Sequence, residues 1–327
     1  MTVITALVKH TMLSIPKVVG ITGATGFIGG ALAIEFKKRG YYVVGIDLVR
    51  RKHLMKYFDD FFEQDFENIP SFKSPAWDCC DVIIHCAGTS LVGPSINNPI
   101  NYYNNNVAKT IKLLDWCVLN KKHFLFSSSA SVYKTKNTPL NEEDEKQPLS
   151  PYAKSKWMIE QVVGDFSESY KLPATIFRYF NACGAIGDKH GQQPKASHIF
   201  PRLMEATREF DLYGNDFNTP DGTCVRDYIH ITDIADAHVK AVEKSVYGVY
   251  NLGSNNGFSN KQIIDAVNKN LIVNVLSRRL GDTDCLIADN TYAKSMLGWV
   301  PLSTLSDIVK DLNEWYSSDN YKGLKNG

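Results

Sequence analysis

Lys17-Val18-Val19-Gly20-Ile21-Thr22-Gly23-Ala24-Thr25-Gly26-Phe27-Ile28-Gly29 decides how the first half of this chain folds. Its first six residues are rich in β-branched side chains and read as a short buried strand. Three glycines then turn the chain into a helix over Gly30 to Arg39, which Gly40 stops. Tyr41 to Ile46 reads as a second buried strand, ended by Asp47. Strand, glycine turn, helix and strand in this order form a cradle for the diphosphate of a dinucleotide. Gly23, Gly26 and Gly29 allow close backbone approach, with Thr25, Phe27 and Ile28 completing the turn. The helix start presents unpaired N–H groups and the positive end of its dipole. Asp47 suits the adenosine ribose hydroxyls and repels a 2′-phosphate, which favours NAD over NADP. Arg50 and Arg51 follow closely and pull against that preference. Asp47 could equally be a turn or helix-cap residue. Asp65, in Gln64-Asp65-Phe66, suits a contact with the adenine.

The alternation continues downstream. Asp81 to Cys86 reads as a buried strand, Asn98 to Asn120 as a long helix and His123 to Ser128 as a strand. Pro151 to Tyr170 is a helix and Ala174 to Tyr179 a strand. The fold class this predicts is α/β, a Rossmann-type doubly wound parallel sheet with helices on both faces. After Asn181 the segments shorten and become richer in Gly, Pro and Asn. Amphipathic helices are expected near 199–209, 232–244, 259–270 and 304–317, with a short strand over Gly248 to Leu252. The expected organisation is an extension over 1–16, a NAD-binding domain over 17–181 and a smaller α/β ligand-binding part over 182–327. The last two interleave, and the smaller part packs on the carboxyl edge of the sheet.

Composition narrows the partners. The 327 residues carry 36 basic against 35 acidic side chains, a formal net charge of +1. That balance offers no broad surface to nucleic acid or to an anionic membrane. No apolar run is long enough to span a bilayer, and Val3 to Val8, ended by Lys9 and His10, does not read as a signal peptide. Seven cysteines without a CxxC pair predict reduced thiols in a cytoplasmic protein, with no disulfide framework and no metal site.

Tyr152-Ala153-Lys154-Ser155-Lys156 carries the chemistry. Four residues apart on a helix, Tyr152 and Lys156 share a face. A free phenol titrates near pH ~10. A neighbouring cation is expected to lower that value and to make a general base for an alcohol hydroxyl. Tyr321 and Lys325 repeat the spacing in the polar tail, so chance produces it here at least once, and the bland reading of any such pair is a solvated helix face. Context separates the two pairs. Ser150 can cap the helix at Tyr152, and Pro151 suits its first turn. Ser129 closes a preceding strand at the carboxyl end, where open α/β sheets place their ligands. A serine there also caps turns.

Together, Thr22 to Gly29, Phe126-Ser127-Ser128-Ser129-Ala130-Ser131-Val132-Tyr133 and Tyr152 to Lys156 resemble the extended short-chain dehydrogenase/reductase family. The similarity runs from about Lys17 to Trp315 and is greatest to its UDP-glucose 4-epimerases. Arg178-Tyr179-Phe180-Asn181, Tyr213 to Phe217, Asp221 to His230, Tyr250 to Gly253 and Arg278 to Asp282 resemble the nucleotide-sugar members in particular. The resemblance implies Tyr152 as base, Lys156 as its partner and holder of the nicotinamide ribose, and Ser129 as the group that orients the reacting hydroxyl. It implies cofactor contacts from Tyr179, Asn106, Ser127, Phe66, Cys86, Ala87 and Ser90. It implies Asn181, Arg226 and Arg279 at the substrate diphosphate, Asp282 at the uridine ribose, and His198, Ile199, Leu212 and Tyr213 around the uracil. Read alone, Arg226 could instead brace Asp227 or Asp233, Tyr179 could be core, and His198 could be structural.

Departures matter. Some epimerases carry a lysine where this chain has Ser90, so one contact to the cofactor phosphates is lost or replaced. By the resemblance, the position that gates sugar size in the family falls on Leu286, neither the bulky tyrosine nor a very small residue, which leaves room for an N-acetyl group in question. Related dehydratases place an Asp-Glu pair after the strand-ending serine or threonine, and decarboxylases keep a glutamate there. Here Ala130 and Ser131 follow Ser129. The expected activity is therefore NAD-dependent 4-epimerisation of a UDP-hexose, UDP-glucose or UDP-galactose, through a transient 4-keto sugar. UDP-N-acetylhexosamine or UDP-uronate epimerisation is the alternative, ahead of a dehydratase, a decarboxylase or a non-catalytic NAD-binding module. A homodimer through the helices at 98–120 and 151–170 is the family expectation.

Overall fold

The computed structural model describes residues 17–71, 73–267, 270–279 and 282–326, so the expected extension over 1–16 lies outside the described residues. Strand β1 (Val18–Thr22), helix α1 (Phe27–Lys38) and strand β2 (Tyr42–Asp47) form the opening unit. Strands β3 (Asp60–Glu63) and β4 (Val82–His85) follow. A continuous helix, α2, runs through Pro99–Tyr102, Tyr103–Ala108 and Lys109–Leu119, and its middle section is wound as a π-helical turn. Strand β5 (His123–Ser129), helix α3 (Pro151–Tyr170) and strand β6 (Ala174–Tyr179) complete the amino half. The Ser150 hydroxyl accepts from Ala153 N–H at the start of α3, and Lys171 ends the helix in the left-handed region.

The carboxyl half holds α4 (Ile199–Glu205), β7 (Glu209–Tyr213), β8 (Val225–His230), α5 (Ile231–Lys244), β9 (Gly248–Leu252), α6 (Asn260–Val267), β10 (Ile272–Leu276) and α7 (Leu305–Ser317). The helix expected near 199–209 thus stops at Glu205. Residues 209–213 are a strand instead, because they pair in parallel with Ile272–Leu276.

Seven strands make one parallel sheet in the order β9-β6-β5-β4-β1-β2-β3. Strand order reverses between β1 and β4, which opens a crevice at their carboxyl ends. The seventh strand, β9, comes from beyond Asn181, so the sheet itself joins the two halves of the chain. One face of the sheet packs α1 and α5 through Leu32, Phe36, Ile234 and Val242. The other packs α2 and α3 through Leu113, Trp116, Ile159 and Val163. Each such large apolar side chain taken out of water contributes about 1.5–3 kcal/mol before entropy is charged against it. Beyond the sheet's carboxyl edge, β8 lies between Gly257–Ser259 and Cys285–Leu286 and also pairs with Asn181–Cys183. No helix among the described residues is long and apolar enough to cross a membrane.

Candidate active site

At the head of α1, Gly23 has φ +64°, and a Cβ there would lie 2.6 Å from Ala87 N. A Cβ on Gly29 would lie 2.1 Å from the Gly23 carbonyl oxygen. These contacts exclude side chains and leave the turn as bare backbone. Thr25 donates from its N–H and its hydroxyl to Asp47 Oδ2, at 2.8 and 3.0 Å. Asp47 therefore braces the glycine turn from the end of β2. Ala87 N donates to the Thr22 hydroxyl at 3.3 Å, which fixes the loop after β4 against β1.

The remaining residues expected at the cofactor divide. Asp65 pairs with Lys109 and also accepts from Glu67 N at 3.0 Å. Phe66 is buried, edge-on to His85 with 4.9 Å between ring centres. Ser90 is exposed. Asn106, on the π-helical turn, accepts from Thr89 N at 2.8 Å and donates to Thr89 O and to Ser155 Oγ, each at 3.0 Å. It clamps the loop that carries Cys86 to Ser90 to the helix that carries Tyr152.

Tyr152, Lys156 and Ser129 converge at the carboxyl ends of β5 and β6. The Ser131 hydroxyl donates to Ser129 Oγ at 3.0 Å. Lys156 Nζ donates to Ser127 O at 2.8 Å and lies 4.8 Å from the centre of the Phe126 ring. Burial pushes the Lys156 ammonium down to about 8, with Cys86 and Glu160 pulling it up. The expectation that the phenol is lowered is not met by the protein alone. Burial raises Tyr152 above the ordinary phenol value, while hydrogen bonding from Ser129 pulls it down.

Tyr179 is part core and part site. Its hydroxyl meets Ser127 Oγ at 2.9 Å and His238 Nε2 at 2.8 Å. His238 escaped the sequence reading. Its one signal was a polar residue on the buried face of an amphipathic helix, α5.

The carboxyl half supplies cations. Arg226 donates to Thr283 O at 2.8 Å and pairs with Asp282 at 3.6 Å. It braces neither Asp227, which accepts from Ser254, Asn255 and Ala288, nor Asp233, which accepts from Leu302 and Ser303. The Arg279 guanidinium lies 3.8 Å from the centre of the Tyr213 ring, and Arg202, another omission from the sequence reading, lies 5.3 Å from it. Leu212 is buried, Ile199 half-buried and His198 exposed at the start of α4. Asn181 pairs with Tyr228 on β8, and Leu286 pairs with Arg226 while packing on the Ala130 and Phe180 cluster. Among the described residues no cluster of His, Cys, Asp and Glu is arranged to hold a metal ion.

A tyrosine–lysine–serine group at the mouth of a glycine-cradled parallel sheet defines a dinucleotide-dependent enzyme that works on hydroxyl carbons. The family model described as the NAD dependent epimerase/dehydratase family matches residues 19–253, and the chain belongs to that family. It is 33% identical to the UDP-glucose 4-epimerase of Rhizobium leguminosarum bv. trifolii over 326 residues, 92% of this chain and 97% of that one. Among solved structures it resembles UDP-glucose 4-epimerase from Brucella ovis in complex with NAD, with 34% identity and a TM-score of 0.85, covering 90% of this chain and 97% of that chain. The enzyme from Bifidobacterium longum in complex with NAD+ and UDP is 31% identical with a TM-score of 0.82, covering 91% and 98%. The bare turn at Gly23 and Gly29 fits the dinucleotide that the family name specifies.

Proposed function

We propose that this chain inverts the configuration at C4 of a UDP-hexose, UDP-glucose or UDP-galactose, through a transient 4-keto sugar. The observation that carries the reading is what stands beside Ser129. Ala130 and Ser131 follow it, and the nearby buried carboxylates are engaged elsewhere: Glu160 pairs with Arg178, and Glu142 accepts from Asn251 N at 2.7 Å. Elimination needs a free acid and base beside the sugar. A site without them is left with reversible oxidation at one carbon.

NAD, when bound along the glycine turn, supplies the acceptor and donor of hydride. The residues of the chain do the rest. Tyr152 takes the 4-hydroxyl proton and returns it, with Ser129 holding that hydroxyl in line. Lys156 holds the nicotinamide ribose. Arg226 and Arg279, joined by Asn181, grip the substrate diphosphate, because a guanidinium fork matches phosphate oxygens. Asp282 faces the uridine ribose, and His198, Ile199, Leu212 and Tyr213 border the uracil. With the nucleotide anchored, the keto sugar turns about its diphosphate link and presents its other face. Seven free thiols suit a reducing cytoplasm, and the apolar outer faces of α2 and α3 suit a homodimer.

Incubating the purified protein with a panel of UDP-sugars and resolving the C4 epimers tests the reading. Interconversion of UDP-glucose and UDP-galactose is expected, and is expected to vanish in Tyr152→Phe while NAD stays bound. Near-normal turnover in Tyr152→Phe would sink the assignment of the base.

A further inference from the structure

We propose that Arg51 binds the diphosphate of the dinucleotide and replaces the cation missing at Ser90. The Arg51 guanidinium is half-buried and donates to Gln193 Oε1 at 2.6 Å. Its Nε is buried with no hydrogen-bond partner, and among the described residues it forms no ion pair. Burial works against its charge and Asp47 favours it, but Asp47 already accepts from Thr25 and from Leu48 N. A guanidinium held out of water without a matched anion is costly, so an anion from outside completes this one.

Three contacts locate that anion. His190 meets the carbonyl of Phe27, the first residue of α1, at 2.8 Å through Nε2. His53, two residues after Arg51, stacks on His190 with 6.1 Å between ring centres. Gln193, three residues after His190, holds the guanidinium itself. Arg51 is thereby set near the amino end of α1, where the N–H groups of the glycine turn face a phosphate. Burial keeps His190 and His53 below their ordinary values, so the positive charge of this cluster rests on Arg51.

Arg50 is different. It lies 4.9 Å from the centre of the Phe61 ring and pairs at 3.5 Å with Glu63, both side chains being exposed. The bridging diphosphate is the favoured ligand over a 2′-phosphate, because Asp47 opposes negative charge at the end of β2. The inference rests on NAD binding and stands apart from the identity of the sugar.

The test is calorimetric titration of NAD and NADP into nucleotide-stripped full-length protein at two salt concentrations, for wild type, Arg51→Gln, Arg51→Lys and Arg50→Gln. Arg51→Gln is expected to weaken NAD about tenfold and to flatten its salt dependence. Arg50→Gln is expected to stay within about twofold of wild type, and Arg51→Lys to fall between. Adding Ser90→Lys to Arg51→Gln is expected to restore part of the affinity. The nucleotide-free unfolding midpoint of Arg51→Gln is expected to match wild type. Unchanged NAD affinity in Arg51→Gln, an equal loss in Arg50→Gln, or weakening confined to NADP would each overturn the proposal.

Discussion

His238 and Tyr179 share a hydrogen bond of 2.8 Å whose direction is fixed. His238 Nδ1 lies 2.8 Å from the Ile234 carbonyl, which can only accept, so Nδ1 carries the proton. Burial pushes His238 down to about 4, so the ring is neutral and Nε2 accepts from the Tyr179 hydroxyl. The Tyr179 oxygen then accepts from Ser127, whose carbonyl in turn receives Lys156. One histidine on α5 therefore orders the hydroxyls beneath Lys156.

Removing that acceptor has a defined consequence. In His238→Phe the Tyr179 hydroxyl loses its acceptor and keeps only Ser127, at a cost of about 1–3 kcal/mol in unfolding free energy. Turnover is expected to fall, and His238→Gln, which keeps an acceptor, is expected to recover part of it. Steady-state kinetics beside urea unfolding separate the two effects. Wild-type kcat in His238→Phe would show that the order of these hydroxyls has no bearing on the reaction.

Glu160 and Arg178 make a buried ion pair at 2.6 Å, both side chains almost wholly out of water. Glu160 lies one turn after Lys156 on α3, and Arg178 immediately precedes Tyr179 on β6. Arg178 also donates to the Tyr133 hydroxyl and to Glu142 O, at 2.8 and 2.9 Å. Replacing Glu160 by Gln leaves a buried cation unmatched and is expected to cost about 3–5 kcal/mol by equilibrium denaturation. A loss under about 1 kcal/mol would mean that water reaches Arg178.

The parts of this molecule legible in its sequence are those with local causes. Helix α3 forms over the expected Pro151–Tyr170 because Ser150 and Pro151 start it, and the glycine turn announces itself by spacing. Fold class, cofactor and family follow from such elements. Partners distant in the chain were not legible. Glu209–Tyr213 is a strand only because residues some sixty positions later pair with it. His238 matters only because its helix folds under Tyr179. The π-helical turn at Tyr103–Ala108 leaves no mark on a run of asparagines, although it is what aims Asn106 at Thr89. Nor does the four-residue spacing of Tyr152 and Lys156 reveal burial, which dominates at the phenol in the folded protein.

Acid should loosen the fold in a predictable window. Burial lowers His238 to about 4 and His85 to about 3. Both values lie below the ordinary ~6.5 of the unfolded chain, so the unfolded state binds more protons between those limits. Stability from these two residues is complete above about pH 6.5 and is lost as pH falls through the window, at a limiting slope of about 1.4 kcal/mol per pH unit for each. Urea unfolding at pH 7 and pH 5 is expected to show this loss, and His238→Gln to reduce its slope. An identical slope in the variant would remove His238 from the account.

The outer faces of α2 and α3 bear on assembly. Ile100 and Leu119 on α2, 68% and 73% exposed, stand out with Met158 on α3, and Leu149 just before α3 is exposed as well. Scattered apolar residues are ordinary on a surface, but these share the two helices through which the family resemblance implies a dimer. A twofold contact repeats each change on both sides, so a single charge counts twice. Ile100→Glu is expected to shift the protein from dimer to monomer at micromolar concentration, with its unfolding midpoint near wild type because the side chain already faces solvent. Analytical ultracentrifugation decides the matter. A dimer that survives Ile100→Glu together with Met158→Glu would place the contact on another face, and a wild type that sediments as a monomer would remove it.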